Sequence, residues 1–382
     1  MQNTHFMSAF SSAVNETVAV LTGILEDSAI PDILAAATDA VIQAYRKDHK
    51  VLTCGNGGSA ADAQHIAAEL SGKFFFDRQP LFAEALHVNT SYMTAVANDY
   101  SYNDVFARLV RAQGRPGDVL LALSTSGSSP NVVKALEEAR RRKMITVGFT
   151  GQRPNNMEDL CDYLVAVPSM VTPRIQEAHI TLGHVMCEMI ENRMFSVDAP
   201  AIFLDRDGVI NEKKPEGDYV TSVSEFSILP GVFEAIKLFN DSGYLVVVIT
   251  NQQCIGKGMV SPDTVGAIHE HMKSEVRRHG GSIDTVYMCP HTAAENCSCR
   301  KPAPGLIEMA VRDYRRKGVS IDMTRSYMIG DSEKDIIAGE KAGLHTVRIT
   351  TDGKGDTAPT AAGILEAAHR VIYDDMRTRK AM

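Results

Sequence analysis

Asp205 and Asp207 stand two residues apart just after the apolar run AIFL, in the stretch FLDRDGVIN. Two carboxylates this close can divide the work of phosphoryl transfer. One attacks phosphorus, while the other protonates the leaving oxygen and then activates water, with Mg²⁺ screening their mutual repulsion. An Asp-x-Asp pair alone is a common turn or helix cap. It gains meaning here from Thr250-Asn251 at the end of a second apolar run, Lys301 further on, and Gly330-Asp331 after another, because open α/β sheets bind ligands at the carboxyl ends of their strands. Cys289-Pro-His291 and Cys297-Ser-Cys299 add three thiols and one imidazole within a span of eleven residues. That donor set suits a closed tetrahedral zinc site; with no open position the zinc is structural and stiffens the loop that presents Arg300 and Lys301.

The N-terminal half carries a different set. Cys54-Gly55-Asn56-Gly57-Gly58-Ser59 is a turn of small residues through which backbone N–H groups can approach an anion, and Ser124-Thr125-Ser126-Gly127-Ser128-Ser129 runs into a helix starting near Pro130. A merely capped turn needs one Ser or Thr; five hydroxyls and a helix N-terminus make a phosphate cradle. His65 and Glu69 lie four apart on one helix face, and Gln176 and His184 lie eight apart on another. Singly, each is an ordinary polar residue. Beside two anion loops the pairs suit either proton transfer next to a carbonyl or a metal ion with nitrogen and oxygen ligands.

These residues need a rigid frame. Phe6, Phe10, Val14, Val18, Leu21 and Leu25 recur at helical spacing, and a second helix follows Pro31. The segments KVLTC, DVLLALS, MITVGFT and DYLVAVP then alternate with amphipathic helices up to a long helix from about Pro173 to Phe195. The rhythm restarts after SVDAP with AIFLD, YLVVVIT, IDTVYMC and RSYMIGD. Buried strands alternating with helices predict an α/β chain of two doubly wound, mostly parallel-sheet domains, 1–196 and 197–382. At 382 residues the chain exceeds what one core usually supports.

Over residues 1 to 195, GNGGSAADAQHIAAELSGK, VANDYSYNDVF, LSTSGSSPNVVKAL and RIQEAHITLGHVMCEMIE occur in order. Together they resemble the sedoheptulose 7-phosphate isomerase (phosphoheptose isomerase) branch of the sugar-isomerase fold. The resemblance implies that Asn56, Gly57, Gly58, Asn98, Asp99, Ser124, Thr125, Ser126, Ser129 and Gln176 contact a sugar phosphate. It implies that His65, Glu69, Gln176 and His184 hold zinc, with Glu69 and His184 also moving protons. The reaction would be an aldose–ketose shift through an enediol, and the assembly a homotetramer formed through the N-terminal helices.

Over residues 200 to about 350, DRDG, TNQ, RKP and GDSEKD resemble the haloacid-dehalogenase phosphatase superfamily. By that similarity Asp205 is the nucleophile, Asp207 the general acid/base, and Asp205, Asp207 and Asp331 bind Mg²⁺, while Thr250, Asn251 and Lys301 hold the transferring phosphoryl group. The Cys/His loop with DRDG is similar to the D-glycero-D-manno-heptose-1,7-bisphosphate 7-phosphatase branch, with Arg300, Asp218 and Tyr219 at the substrate. The two implied reactions are not consecutive. A kinase must phosphorylate C1 between them, and the sequence holds no P-loop, so a separate kinase is expected.

A charge of −8 argues against nonspecific nucleic-acid binding. Purely apolar runs are only strand-sized and MQNTHFMSAF lacks the marks of a signal peptide, so no membrane association and a cytoplasmic location are expected. The competing expectations are a non-catalytic sugar-phosphate-binding or protein-interaction module in the first half, and a histidinol-phosphate or other small-molecule phosphatase in the second.

Overall fold

The structure, a computed structural model, describes residues 2–152, 156–215, 217–350 and 358–381, with side chains between 6 and 377. The chain divides into two units, Met1–Phe195 and Ser196–Met382, one residue before the division expected from SVDAP.

In the first unit two helices, α1 (Gln2–Glu26) and α2 (Ala29–Arg46), precede β1 (Val51–Cys54), α3 (Gly58–Ser71), β2 (Ala83–Ala85), α4 (Thr90–Asp99), α5 (Val105–Gln113), β3 (Val119–Leu123), α6 (Pro130–Arg141), β4 (Ile145–Gly151), β5 (Tyr163–Val167) and α7 (Thr172–Phe195). The strands pair in parallel in the order β2-β1-β3-β4-β5. Each β3 residue is buried, and its alternation divides the core: Val119, Leu121 and Leu123 pack with α2, α3 and α7, while Leu120 and Ala122 pack with α5 and α6. This order reverses direction between β1 and β3. The loops that follow these two strands therefore diverge from a common crevice at the carboxyl edge.

The second unit contains β6 (Val197–Ala199), β7 (Ala201–Leu204), α8 (Val232–Asp241), β8 (Leu245–Asn251), α9 (Gln253–Gly256), α10 (Pro262–Arg278), β9 (Thr285–Cys289), α11 (Gly305–Arg315), β10 (Val319–Ile321), β11 (Tyr327–Gly330), α12 (Glu333–Lys341), β12 (His345–Ile349), β13 (Thr360–Ala361) and α13 (Ile364–Ala381). Its main sheet, parallel throughout, runs β13-β12-β11-β7-β8-β9. The entirely buried β7 lies between β11 and β8, so Asp205, Asp331 and Thr250 emerge from neighbouring strand ends.

Two findings differ from expectation. Short or half-exposed strands escaped the pattern: β2, β6, β10, β12 and β13 lack the long buried runs of the others. Contrary to the expectation that no segment could span a bilayer, Phe6–Glu26 is long and apolar enough by length and composition alone. Its Ser, Thr and Asn residues and the single interior charge, Glu16, break it into short apolar runs, so no single run reaches membrane length. One face of α1, through Val20, Leu21 and Ile24, packs on the core. Phe6, Phe10, Val14, Val18 and Leu25 are exposed.

Candidate active sites

In the first unit α3 and α7 bring together residues more than a hundred positions apart. His65 Nε2 lies 2.9 Å from His184 Nε2 and 3.2 Å from Glu69 Oε1, and donor atoms of all three residues fall within 4.8 Å of one another. Two imidazoles and a carboxylate converging on one point fit a borderline cation. Burial, with His65 adjacent, holds His184 below its usual range against the pull of Glu69. Gln176 lies two turns earlier on α7, and its amide fills the space where a Cβ on Gly58 would be. Only glycine allows this approach of α7 to the turn after β1.

The hydroxyl loop follows β3. Ser124 Oγ is 3.2 Å from Ser129 Oγ and 3.5 Å from Ser126 Oγ. Ser129 is the N-cap of α6, yet its side chain makes no capping bond, so it belongs to the hydroxyl cluster. The Thr125 carbonyl accepts from Gly151 N. Asn56 and Asn131 exchange reciprocal amide bonds of 2.9 and 2.8 Å, and Tyr102 donates to Asn56 Oδ1. This joins the Gly-rich turn to the start of α6. Gly57 takes φ +54°, which a side chain would strain. Asn98 and Asp99, in the last turn of α4, are exposed and bonded to each other at 2.9 Å.

Sequence reasoning overlooked Asn131 and Asp62. Asn131 is buried at the start of α6. Asp62 stands one turn before His65; its Oδ2 is buried without a hydrogen-bond partner, and burial raises the carboxyl to about 6. Single polar residues inside an amphipathic helix give no sequence signal of this kind.

In the second unit a cavity of about 530 Å³ is lined by Asp205, Asp207, Asp218, Tyr219, Thr250, Asn251, Arg300, Lys301, Asp331 and Asp335, with Lys213, Lys214 and Lys334 at its wall. Lys301 Nζ lies 2.7 Å from Asp205, 2.6 Å from Asp335 and 2.9 Å from the Ile249 carbonyl. Burial, with Asp335 beside it, raises Asp205 to about 7 against the pull of Lys301. Burial opposes the Lys301 charge too, but the two carboxylates hold it above its usual range.

Asp207, expected among the magnesium ligands, points elsewhere. Its oxygens accept from Arg206 at 2.9 and 3.0 Å, Asn211 at 3.0 Å and Gln252 at 2.9 Å. Although burial opposes ionisation, these donors hold it below the usual carboxylate range. The convergent carboxylates are instead Asp205, Asp331 and Asp335. Asp335, which the motif reading did not single out, is the last residue of GDSEKD, four positions beyond Asp331. Gly208, at φ +89°, passes so close to Asp331 that a Cβ would collide with it.

Of the other expected contacts, Asn251 exchanges 3.1 Å bonds with the Lys301 backbone, and Thr250 accepts from Gln252. Tyr219 accepts from Gln253 and Lys257. Arg300 donates to the His291 carbonyl. Cys289, His291, Cys297 and Cys299 converge, with sulfur–sulfur separations of 3.6, 3.3 and 3.4 Å and His291 Nδ1 at 3.6 and 3.3 Å from Cys289 and Cys299. These are near the ~3.7 Å edge of a tetrahedron with metal–sulfur bonds of about 2.3 Å.

Fold and sites define two classes of domain on one chain. Residues 14–151 match the SIS domain family and residues 298–378 the HAD-hydrolase-like family. A phosphoheptose isomerase of Campylobacter jejuni is 47% identical over 180 residues, 47% of this chain and 90% of the relative. A solved phosphoheptose isomerase from Neisseria gonorrhoeae is 38% identical, covering 50% of this chain and 99% of that one, with TM-score 0.44. A D,D-heptose 1,7-bisphosphate phosphatase from B. bronchiseptica, solved with magnesium and phosphate, is 29% identical over 46% of this chain and 99% of its own, with TM-score 0.42. Through its N-terminal half the chain belongs to the phosphoheptose isomerase family, fused to a HAD-like domain.

Proposed function

We propose that the chain is a bifunctional enzyme of heptose precursor synthesis, isomerising sedoheptulose 7-phosphate to D-glycero-D-manno-heptose 7-phosphate and hydrolysing the 7-phosphate of D-glycero-D-manno-heptose 1,7-bisphosphate. The observation that carries it is the paired construction: His65, Glu69 and His184 on two helices of the isomerase domain, and Asp205 beside Lys301, Asp331 and Asp335 in the phosphatase domain.

In the isomerase, the Ser124–Ser129 hydroxyls and the N-terminus of α6 take the phosphate, and Asn56 orients the sugar. Glu69 removes the C1 proton and returns it to C2, while His184 exchanges the proton of the neighbouring oxygen. His65, Glu69, Gln176 and His184 would hold zinc, which when bound stabilises the developing negative oxygen.

In the phosphatase, Asp205 attacks phosphorus and the sugar oxygen leaves, giving an aspartyl phosphate. Lys301, Thr250 and Asn251 hold the phosphoryl oxygens. To act as general acid Asp207 must first turn from its bonds with Arg206 and Gln252 and take up a proton from solvent; it then protonates the leaving oxygen and, as the carboxylate, takes the proton of the attacking water. Asp205, Asp331 and Asp335 would hold Mg²⁺, which screens nucleophile from substrate. Arg300, Asp218 and Tyr219 contact the sugar, and Cys289, His291, Cys297 and Cys299 would hold a structural zinc.

A separate kinase supplies the C1 phosphate. The subunits form homotetramers through α1 and work in the cytoplasm on soluble sugar phosphates. Phosphorus NMR of a reaction with sedoheptulose 7-phosphate tests this. The aldose 7-phosphate should accumulate alone, with inorganic phosphate appearing only after a heptose 7-phosphate kinase and ATP are added. No aldose from metal-replete protein defeats the isomerase assignment, and faster hydrolysis of histidinol phosphate than of the bisphosphate defeats the phosphatase assignment.

A further inference from the structure

Arg78 and Glu191 form a buried ion pair at the rear of the isomerase site, with side chains 2% and 1% exposed and Nε 3.1 Å from Oε1. Burying two charges is costly unless each is paired and hydrogen-bonded, so a pair retained here needs full satisfaction. It has that. Arg78 donates to the carbonyls of Glu69, Leu70 and Gly72, each at 2.8 Å, closing the C-terminal end of α3. Glu191 accepts from Phe74 N at 3.1 Å and Phe75 N at 2.8 Å, fixing the chain that leaves α3.

The two residues thereby join the helices that carry the site. Arg78 holds the backbone of Glu69 itself, and Glu191 lies two turns beyond His184 on the same face of α7. The Phe74 ring, held through its own N–H by Glu191, packs 5.8 Å from the His184 ring. Side-chain donors can converge only if their helices keep one separation and one register. No residue of the hydroxyl loop takes part in this network.

Resting on the isomerase reading, we infer that Arg78 and Glu191 are positioning residues that set the spacing of α3 and α7, and through it the convergence of His65, Glu69 and His184. They touch neither substrate nor metal. Their effect falls on proton transfer and metal affinity, and leaves phosphate recognition at the β3–α6 loop untouched.

The test uses the full chain with Glu191→Gln, nearly isosteric but uncharged, and Arg78→Lys, which keeps the charge but loses the planar fork. Isomerase kcat should fall roughly 10- to 100-fold with KM for sedoheptulose 7-phosphate nearly unchanged, the range seen when groups behind a metal site are altered. Cobalt(II) titration of metal-free protein should show a comparable weakening in the d–d bands of the nitrogen/oxygen site, with the thiolate charge-transfer bands of the cysteine site as internal reference. Phosphatase activity should not change. Wild-type kcat and cobalt affinity in both variants overturns the inference, as does a loss in which KM deteriorates by the same factor as kcat. If one variant fails to fold, the other decides. An inactive wild type would instead defeat the isomerase reading, while the cobalt arm would still report on the ion pair.

Discussion

Asp205 and Asp207, two residues apart in sequence, face different partners: Asp205 lies 2.7 Å from Lys301 Nζ, and Asp207 is engaged by the Arg206 guanidinium at 2.9 Å. Alternation along an extended strand would put both on one face, but β7 ends at Leu204, so the chain has left the strand before it reaches Asp207. One carboxylate thus lies beside a buried cation, the other among neutral and cationic donors.

Asp205→Asn should reduce phosphatase turnover by roughly 10³-fold or more while leaving isomerisation intact. Lys301→Met leaves Asp205 and Asp335 buried without a counter-charge, so the second unit should lose about 3–5 kcal/mol in urea denaturation. An unchanged midpoint would mean that Lys301 is not the counter-charge that stabilises Asp205 and Asp335.

Glu69→Gln removes the carboxylate from the convergent His65, Glu69 and His184 set. Isomerase kcat should fall about 10²- to 10⁴-fold, with hydrolysis of the bisphosphate unaffected in the same preparation. Retention of isomerase activity would assign the proton transfer to another group.

Acid should destabilise both units through two buried imidazoles. Burial holds His179 and His269 down to about 4, with Arg206 adding to the effect at His269. His179 Nε2 bonds the Thr150 carbonyl, so it carries the proton; His269 Nε2 accepts from Arg206. An unfolded His takes up a proton near 6.5, so between pH 6.5 and 4 the unfolded chain binds more protons than the folded one. Stability is therefore lost as pH falls through that window, by up to roughly 3 kcal/mol per residue. Denaturation free energies between pH 7 and 4.5 should fall less steeply in His179→Gln and His269→Gln; parallel slopes would refute this origin.

Cys297→Ser should lower bound zinc by one per chain and depress phosphatase activity, since the same loop carries Arg300 and Lys301. Isomerase activity should persist. Full zinc content in the variant, measured by elemental analysis, would exclude Cys297 from the site.

The exposed stripe of α1 includes Phe10 and Val14, 55% and 46% accessible. Phe10→Glu combined with Val14→Glu should reduce the mass seen by light scattering from a tetramer to a smaller species, because charge there cannot be buried against another copy. An unaltered tetramer would move assembly to another face.

Much of the site chemistry was readable because it follows strand ends. DRDG, TNQ and GDSEKD each sit where an apolar run stops, and the hydroxyl loop lies between an apolar strand and Pro130 at the first turn of α6. The orientation of Asp207 was not readable, because Arg206, Asn211 and Gln252 reach it from separate turns. Nor was the outward direction of the α1 stripe: periodicity identifies an apolar face but not what it meets.

By itself the amino-acid sequence determined two α/β domains, their strand ends and the residue types able to hold phosphate, a thiolate-bound metal and a carboxylate pair, since these depend on local periodicity and short spacing. Only the tertiary structure decided which distant groups meet. His65 and His184 converge because α3 packs against α7 in one core, two helices that the Arg78–Glu191 pair also joins. Asp335 joins Asp205 because β11 and β7 are neighbours. Such contacts follow from sheet order and helix packing, which join residues whose separation along the chain carries no local signal.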